Sequence, residues 1–223
     1  MGSKGKRGKT RGLFITLEGI EGSGKSTQIQ FLAQRLRRLG YSVVQTREPG
    51  GTAVAETIRH TLLLSSSREL ITPEAEVLLI LAARAQHMAH LIVPALQRGA
   101  IVLCDRFSDS TFAYQGFARG LDLAWLRSAN AVATNGRNPD VTLLFDLPVN
   151  VGLTRRQKAR GKQNRLDRES ERFHRLVRRG FLSLAAHEPR RITVIDANRP
   201  AQEIRADVAA FVLGWLTRKK SKG

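Results

Sequence analysis

The chain has 223 residues, which suits one large domain, and 42% of them are hydrophobic, enough for a sizeable core. Its charge is unbalanced: 37 Lys and Arg against 19 Asp and Glu give +18, which points to anionic ligands such as nucleotides, nucleic acid or an acidic membrane surface. One cysteine, Cys104, excludes an internal disulfide and suits a reducing cytoplasm. The first residues lack a signal-type apolar segment, and the longest apolar stretch, Val77–Ala83, is too short to cross a bilayer, so a soluble protein is expected.

The chain opens with Lys4, Lys6, Arg7, Lys9 and Arg11 spaced by glycines, and closes with Arg218, Lys219, Lys220 and Lys222. Residues 1–11 and 218–223 are therefore expected as basic flexible tails around one domain, 12–217. Within it, the short apolar or β-branched runs Leu13–Leu17, Ser42–Thr46, Ile101–Cys104, Val141–Phe145 and Ile192–Ile195 read as buried strands. Between them the spacing predicts helices over Ser26–Leu39, Thr52–Leu64, Pro73–Arg98, Leu123–Thr134, Val149–Ala159, Arg168–His187 and Ala201–Arg218. Thr72 before Pro73 suits an N-cap, and Gly40 and Gly99 suit C-terminal caps. This alternation predicts an α/β fold: a five-stranded, mostly parallel sheet with helices on both faces. The polar stretch at about 154–168 is a candidate lid.

Gly19-Ile20-Glu21-Gly22-Ser23-Gly24-Lys25-Ser26 fits the phosphate-binding loop pattern G-x-x-x-x-G-K-[ST], between a strand and a helix as that pattern requires. Glycines let successive backbone N–H groups turn inward at phosphate oxygens, and the helix N-terminus adds its positive dipole end. Gly19, Ile20, Glu21, Gly22, Ser23, Gly24, Lys25, Ser26 and Thr27 form the expected ATP-binding set. Lys25 would bridge the β- and γ-phosphates, and the Ser26 hydroxyl would ligate Mg²⁺. The motif fixes nucleotide binding but leaves the reaction open among ATPases, GTPases, helicases and small-molecule kinases.

Two further strand ends narrow it. The second run leads into Arg47-Glu48-Pro49-Gly50-Gly51-Thr52 and the third into Asp105-Arg106-Phe107. In an open parallel sheet the carboxyl ends of strands face one crevice. Arginines at two neighbouring strand ends call for an anion there, a second phosphate. Asp105 suits the metal-side carboxylate. Arg84, alone after the apolar Val77–Ala83, either snorkels to the surface or needs a buried partner. Cys104 is assigned to the core and the histidines, His87 among them, to helix surface or core, since none has metal-ligand spacing.

The series Gly19–Ser26, Arg47–Thr52, Asp105–Arg106, Ser110-Thr111-Phe112-Ala113-Tyr114-Gln115-Gly116 and the Arg-rich Arg155–Arg165 resembles the bacterial thymidylate kinases, from Leu13 to about Leu213. The resemblance implies a P-loop kinase fold with a short Arg-rich lid that moves the γ-phosphoryl of ATP to dTMP. By the same resemblance, Arg47 and Arg106 hold the dTMP phosphate, and Glu48 orders Mg²⁺ and its waters. Arg84 contacts thymine, Ser110 and Gln115 meet its polar edge, and Tyr114 sits beside the deoxyribose. Ile80 stands where the family often has a stacking phenylalanine, and Phe107 where relatives often have Tyr or His. Position 22, a glycine, cannot supply the P-loop arginine that some members use. The catalytic arginine is therefore expected from the lid, with Arg160 and Arg165 as candidates beside Arg155 and Arg156. Lys25, Arg106, Glu48, Arg160 and Arg165 make up the expected catalytic set, and Ser26, Asp105 and Glu48 the expected Mg²⁺ set. The loop Asp196–Pro200 would lie beside adenine, and a homodimer through the long helices is implied. The alternatives are a basic P-loop ATPase acting on nucleic acid and a kinase for another nucleoside monophosphate. A nucleic-acid or membrane partner is not expected on this reading.

Overall fold

The computed structural model describes residues 12–64, 70–159 and 164–220. Strands β1 (Leu13–Glu18), β2 (Val43–Arg47), β3 (Ile101–Asp105), β4 (Val141–Asp146) and β5 (Ile192–Asp196) form one sheet in the order β2-β3-β1-β4-β5. Every pairing is parallel, so all five carboxyl ends lie on one edge. Helices α1 (Lys25–Arg38), α2 (Ala53–Leu64), α3 (Pro73–His87), α4 (Val93–Gln97), α5 (Ser108–Thr111), α6 (Leu123–Thr134), α7 (Val149–Lys158), α8 (Glu171–His187) and α9 (Ala201–Lys220) fill the connections. π-helical turns over Met88–Ile92 and Phe112–Ala118 join α3 to α4 and prolong α5, and a 3₁₀ turn occupies Leu166–Arg168.

Parallel pairing explains the sequence pattern. β1, β3 and β4 are covered on both faces and are almost wholly buried, which requires continuous apolar runs rather than alternation. One face packs Leu17, Leu103 and Leu143 with Leu32, Val177 and Val208 in the larger core; Phe14, Met88, Ile92, Val102 and Phe107 form the second. The run Pro73–Gln97 is long and apolar enough to span a bilayer by length and composition. Val77, Leu81, Met88, Ile92 and Leu96 in it are buried in the two cores, which accounts for that character in a helix packed on a sheet.

Each expected strand is present and runs one residue further at its carboxyl end, and β2 begins at Val43 rather than Ser42. The Thr72 hydroxyl accepts the Ala75 N–H, and Gly40 and Gly99 take positive φ after their helices, as their caps require. Four differences stand out. The run Pro73–Arg98 is broken by a π turn. A helical segment over Ser108–Thr111 and Phe112–Ala118, absent from the periodicity, follows β3 because its residues are buried on nearly every side. And α8 begins at Glu171, where the Ser170 hydroxyl accepts from Phe173 N, rather than at Arg168. Helix α9 continues to Lys220, past the expected boundary at 217. The basic run of residues 1–11 lies outside the described residues.

Leu143 is fully buried at the middle of β4. Leu143→Ala should lower unfolding free energy by about 2–5 kcal/mol through lost transfer energy and the cavity left behind, measured by denaturant titration.

Candidate active site

The loop after β1 curls with Gly19, Gly22 and Gly24 at positive φ. Gly22 admits no side chain for a second reason: a Cβ there would lie 2.0 Å from the Gly152 carbonyl oxygen of α7. Lys25 is buried, and its ammonium donates to Gly19 O (2.9 Å), Ile20 O (2.8 Å) and Ser23 Oγ (3.0 Å). Burial, then the positive charge of Arg106, pushes its pKa down to about 8. The Ser26 hydroxyl donates to Asp105 Oδ2 at 2.7 Å, so the P-loop and the end of β3 meet in a pair of hard oxygen ligands. Among the described residues no cluster of three His, Cys, Asp or Glu forms a cage.

Arg47 and Asp105 are register partners on β2 and β3, so the two motifs do converge. Arg106 adopts φ 74, a left-handed conformation that turns its side chain back over the P-loop. Its Nη2 donates to Glu21 Oε1 (2.9 Å), its Nη1 to Ser110 Oγ (3.1 Å), and its guanidinium lies 5.1 Å from the Tyr114 ring centre. Glu21 Oε1 also accepts from the Tyr114 hydroxyl (2.6 Å), and His174 Nδ1 lies 3.2 Å from Glu21 Oε2. Burial alone would raise the Glu21 pKa, but Arg106 and then His174 and Lys25 outweigh it and hold the carboxyl far below its usual range.

A second buried carboxylate underlies this turn. Glu18, the last residue of β1, accepts from Phe107 N (2.7 Å) and Ser110 N (3.3 Å) through Oε1, and from the Ser110 hydroxyl (2.6 Å) through Oε2. Ser110 thereby links Glu18 to Arg106. Burial, then the charge of Asp109, raises the Glu18 pKa to about 8.

Arg84 is 1% exposed. Its Nε donates to Glu48 Oε2 (2.8 Å), Nη1 to Asn130 Oδ1 (2.7 Å) and Nη2 to Thr111 Oγ1 (3.0 Å), while its guanidinium sits 5.0 Å from the centre of the Phe107 ring. Glu48 Oε1 meets His87 Nδ1 at 3.0 Å, and His87 Nε2 lies 2.7 Å from the Thr46 hydroxyl oxygen. Expected to order Mg²⁺ and its waters, Glu48 instead engages both oxygens with Arg84 and His87. It serves the buried arginine, because a guanidinium out of water requires a countercharge.

Two cavities meet at this edge. One is lined by Glu21, Lys25, Ser26, Arg47, Asp105 and Arg106, with Arg59 and Arg156 beside them. The other, mainly apolar, is lined by Ile80, Arg84, Arg106, Ser110, Tyr114 and Gln115. They share Glu48, Pro49, Arg106 and Leu166. Arg47 forms a bidentate pair with Glu56 (2.8 and 3.1 Å) and Gln115 Nε2 donates to Glu76 Oε1 (2.6 Å). Of the two lid candidates, Arg160 lies outside the described residues. Arg165 is held on Glu76 and donates through Nε to Leu62 O, away from the P-loop. Arg156, bound to Asp167 through Nε and Nη2, is the lid arginine that lines the phosphate cleft.

Sequence reasoning missed Glu18, Glu76, His87, His174, Asn130 and Arg59. Glu18 ends an apolar run, where a lone polar residue signals a buried partner, and that signal was present. Asn130 and Arg59 carry no local signal, since their roles arise from contacts made across the fold.

The chain matches the family model for thymidylate kinase over residues 17–208. It is 50% identical over 209 residues to a thymidylate kinase of Pseudomonas fluorescens (strain SBW25), covering 94% of this chain and 99% of that one. Identity is 52% over 205 residues to a thymidylate kinase of Thermomicrobium roseum, covering 92% and 96%. A crystal structure of thymidylate kinase from Ehrlichia chaffeensis superposes with a TM-score of 0.74 at 32% identity, over 90% of this chain and 98% of that one.

Glu18 offers a test of the electrostatics. Its folded pKa is raised, so its contribution to stability is present below the unfolded value of 4.5 and is lost as pH rises through about 8. Glu18→Gln cannot titrate. Denaturation midpoints measured from about pH 5 to 8.5 should fall for the unaltered protein relative to the variant. A constant difference across that range would show that Glu18 is ionised throughout.

Proposed function

The chain belongs to the thymidylate kinase family, and from that premise we propose how its residues transfer the γ-phosphoryl group of ATP to dTMP. The observation that carries the assignment of roles is the contiguity of a cationic cleft over the P-loop with an apolar pocket, through Glu48, Pro49, Arg106 and Leu166. Donor phosphates, acceptor phosphate and acceptor base can thus occupy one continuous space.

The P-loop backbone and Lys25 hold the β- and γ-phosphates, with Lys25 exchanging its loop carbonyls for phosphate oxygens. Ser26 and Asp105 would hold Mg²⁺, which when bound would supply charge neutralisation at the phosphates. Arg106, with Arg47 and Arg59, receives the dTMP phosphate, and Tyr114 braces Arg106 and faces the sugar. The apolar pocket takes thymine against Ile80. Arg84 uses three of the five N–H groups of a guanidinium on Glu48, Asn130 and Thr111, which leaves two for the base. Gln115 donates its amide to Glu76 and keeps its oxygen for a base N–H, and Ser110 fixes Arg106. The attacking atom is a phosphate oxygen that is already anionic, so no general base is required. What the reaction needs is compensation of the charge spread over the moving group, and Arg156 is the group we assign to it. The Asp196–Pro200 loop lies beside α1, where Gln28 reaches Ala201, and would border adenine.

The cytoplasm is the proposed compartment, supported by the free, buried Cys104. A homodimer is proposed through α3 and α6, where Leu78, Trp125 and Val132 are exposed and the latter two, seven residues apart, share one helix face. Sedimentation equilibrium should give twice the chain mass, and Trp125→Glu with Val132→Glu should give the monomer.

An ADP-release assay over a panel of nucleoside monophosphates should show dTMP as the preferred acceptor. Lys25→Ala and Arg156→Ala should each lower kcat by about 10²–10³-fold, the cost typical of removing one preorganised donor. Arg156→Ala should leave KM for dTMP nearly unchanged. A rise in KM with intact kcat would make Arg156 a binding residue instead.

A further inference from the structure

Several arginines in this protein are paired with carboxylates: Arg47 with Glu56, Arg84 with Glu48, Arg106 with Glu21, Arg156 with Asp167, Arg178 with Asp146 and Arg191 with Asp109. The groove between α1 and α9, outside the kinase cleft, gathers three arginines with no carboxylate against them. It is lined by Phe31, Arg35, Arg38, Arg205, Ala209 and Leu213. Among the described residues, no ion pair or hydrogen bond is made by the side chains of its three arginines. The Arg205 guanidinium lies 5.3 Å from the centre of the Phe31 ring, and its Nε is buried with no hydrogen-bond partner. An unmet donor out of water is costly unless a ligand meets it.

Along α1 no Asp or Glu occurs from Gly22 to Arg47, and the acids of α9 that flank Arg205, Glu203 and Asp207, pair with Arg199. Helix α1 descends from the P-loop to the start of β2, so Arg35 and Arg38 near its end lie toward the amino edge of the sheet, away from the kinase cleft.

We propose that the α1–α9 groove binds the phosphate backbone of single-stranded nucleic acid. Three separated guanidinium groups over an apolar floor with one aromatic ring suit a chain of spaced anions carrying flat bases. From Phe31 to Arg38 the groove follows α1 for about 10 Å at ~1.5 Å per residue, longer than a single phosphate group needs. A bilayer surface is broad, whereas these arginines line a groove between two helices, which suits a narrow strand. The proposal is independent of the phosphoryl-transfer reading, since the groove shares no residue with the kinase cleft.

The test is fluorescence anisotropy of labelled oligo(dC) against salt concentration, with ADP and dTMP present to fill the kinase cleft. Arg35→Gln/Arg38→Gln/Arg205→Gln should bind more weakly, and the slope of log K against log salt should flatten by about 2, at ~0.7 per phosphate contact. Kinase turnover should be unchanged, which also shows that the variant is folded. Arg35→Gln/Arg38→Gln, altering exposed residues only, should flatten the slope by about 1.4 and decides the matter if the triple variant does not fold. Unchanged affinity and slope in that double variant would overturn the proposal and assign binding to the chain ends. Recruitment by phosphatidylserine vesicles with no binding of the oligonucleotide would overturn it in favour of a membrane surface.

Discussion

Keeping guanidinium groups charged away from bulk water is the constraint around which this molecule is arranged. Arg84 is enclosed, and Arg106 is largely so. Each would be intolerable alone, because desolvating an ion costs several kcal/mol even after relaxation. The solution is the same in both cases: a carboxylate from another element, a hydroxyl, and an aromatic ring. Arg84 has Glu48, Thr111 and Phe107; Arg106 has Glu21, Ser110 and Tyr114. Since these partners come from the segments that follow β2 and β3, the P-loop, α5 and the π turn after it, satisfying two side chains fixes the mutual positions of most of the site.

The two clusters are also joined. Glu18 at the end of β1 holds the backbone that follows Arg106 and the hydroxyl that Arg106 uses, while Glu21 three residues later holds the guanidinium itself. The segment that grips the donor phosphates therefore also sets the arginine assigned to the acceptor phosphate. In-line transfer demands that the two phosphates be aligned to a fraction of an ångström, and a misplacement of about 1 Å can cost 10²-fold. A short chain of hydrogen bonds from the P-loop to Arg106 is a rigid way to meet that demand.

How much of this was legible in the sequence depends on range. The P-loop, the strand ends and the sheet could be read because backbone geometry and burial act locally: glycine spacing, apolar runs, a Thr-Pro helix start. Ile80, Arg84, Ser110, Tyr114 and Gln115 were placed by family likeness, and they do line one pocket. The partners that make Arg84 tolerable were not legible, since Asn130 and Thr111 lie far from it in the chain. Glu48 was assigned to Mg²⁺ and its waters by family likeness, and its contacts with Arg84 of α3 and with His87 were likewise not legible. The helix over Ser108–Thr111 and its π extension escaped because a segment buried all round has no periodicity to detect.

The lid arginine follows from packing rather than from charge. Side-chain space at position 22 is denied by Gly152, whose carbonyl oxygen would meet a Cβ at 2.0 Å. This contact seats α7 directly on the P-loop, which is why a P-loop arginine is excluded here. The same contact determines which lid residue can replace it. Arg156 lies four residues after Gly152, on the same face of the helix, so seating Gly152 on the loop carries Arg156 to the cleft. Arg165 follows the end of α7 and is drawn instead to Glu76 on α3. The close approach that removes one candidate arginine thus delivers the other, and helix geometry distinguishes Arg156 from its neighbours where spacing in a charge-rich stretch did not.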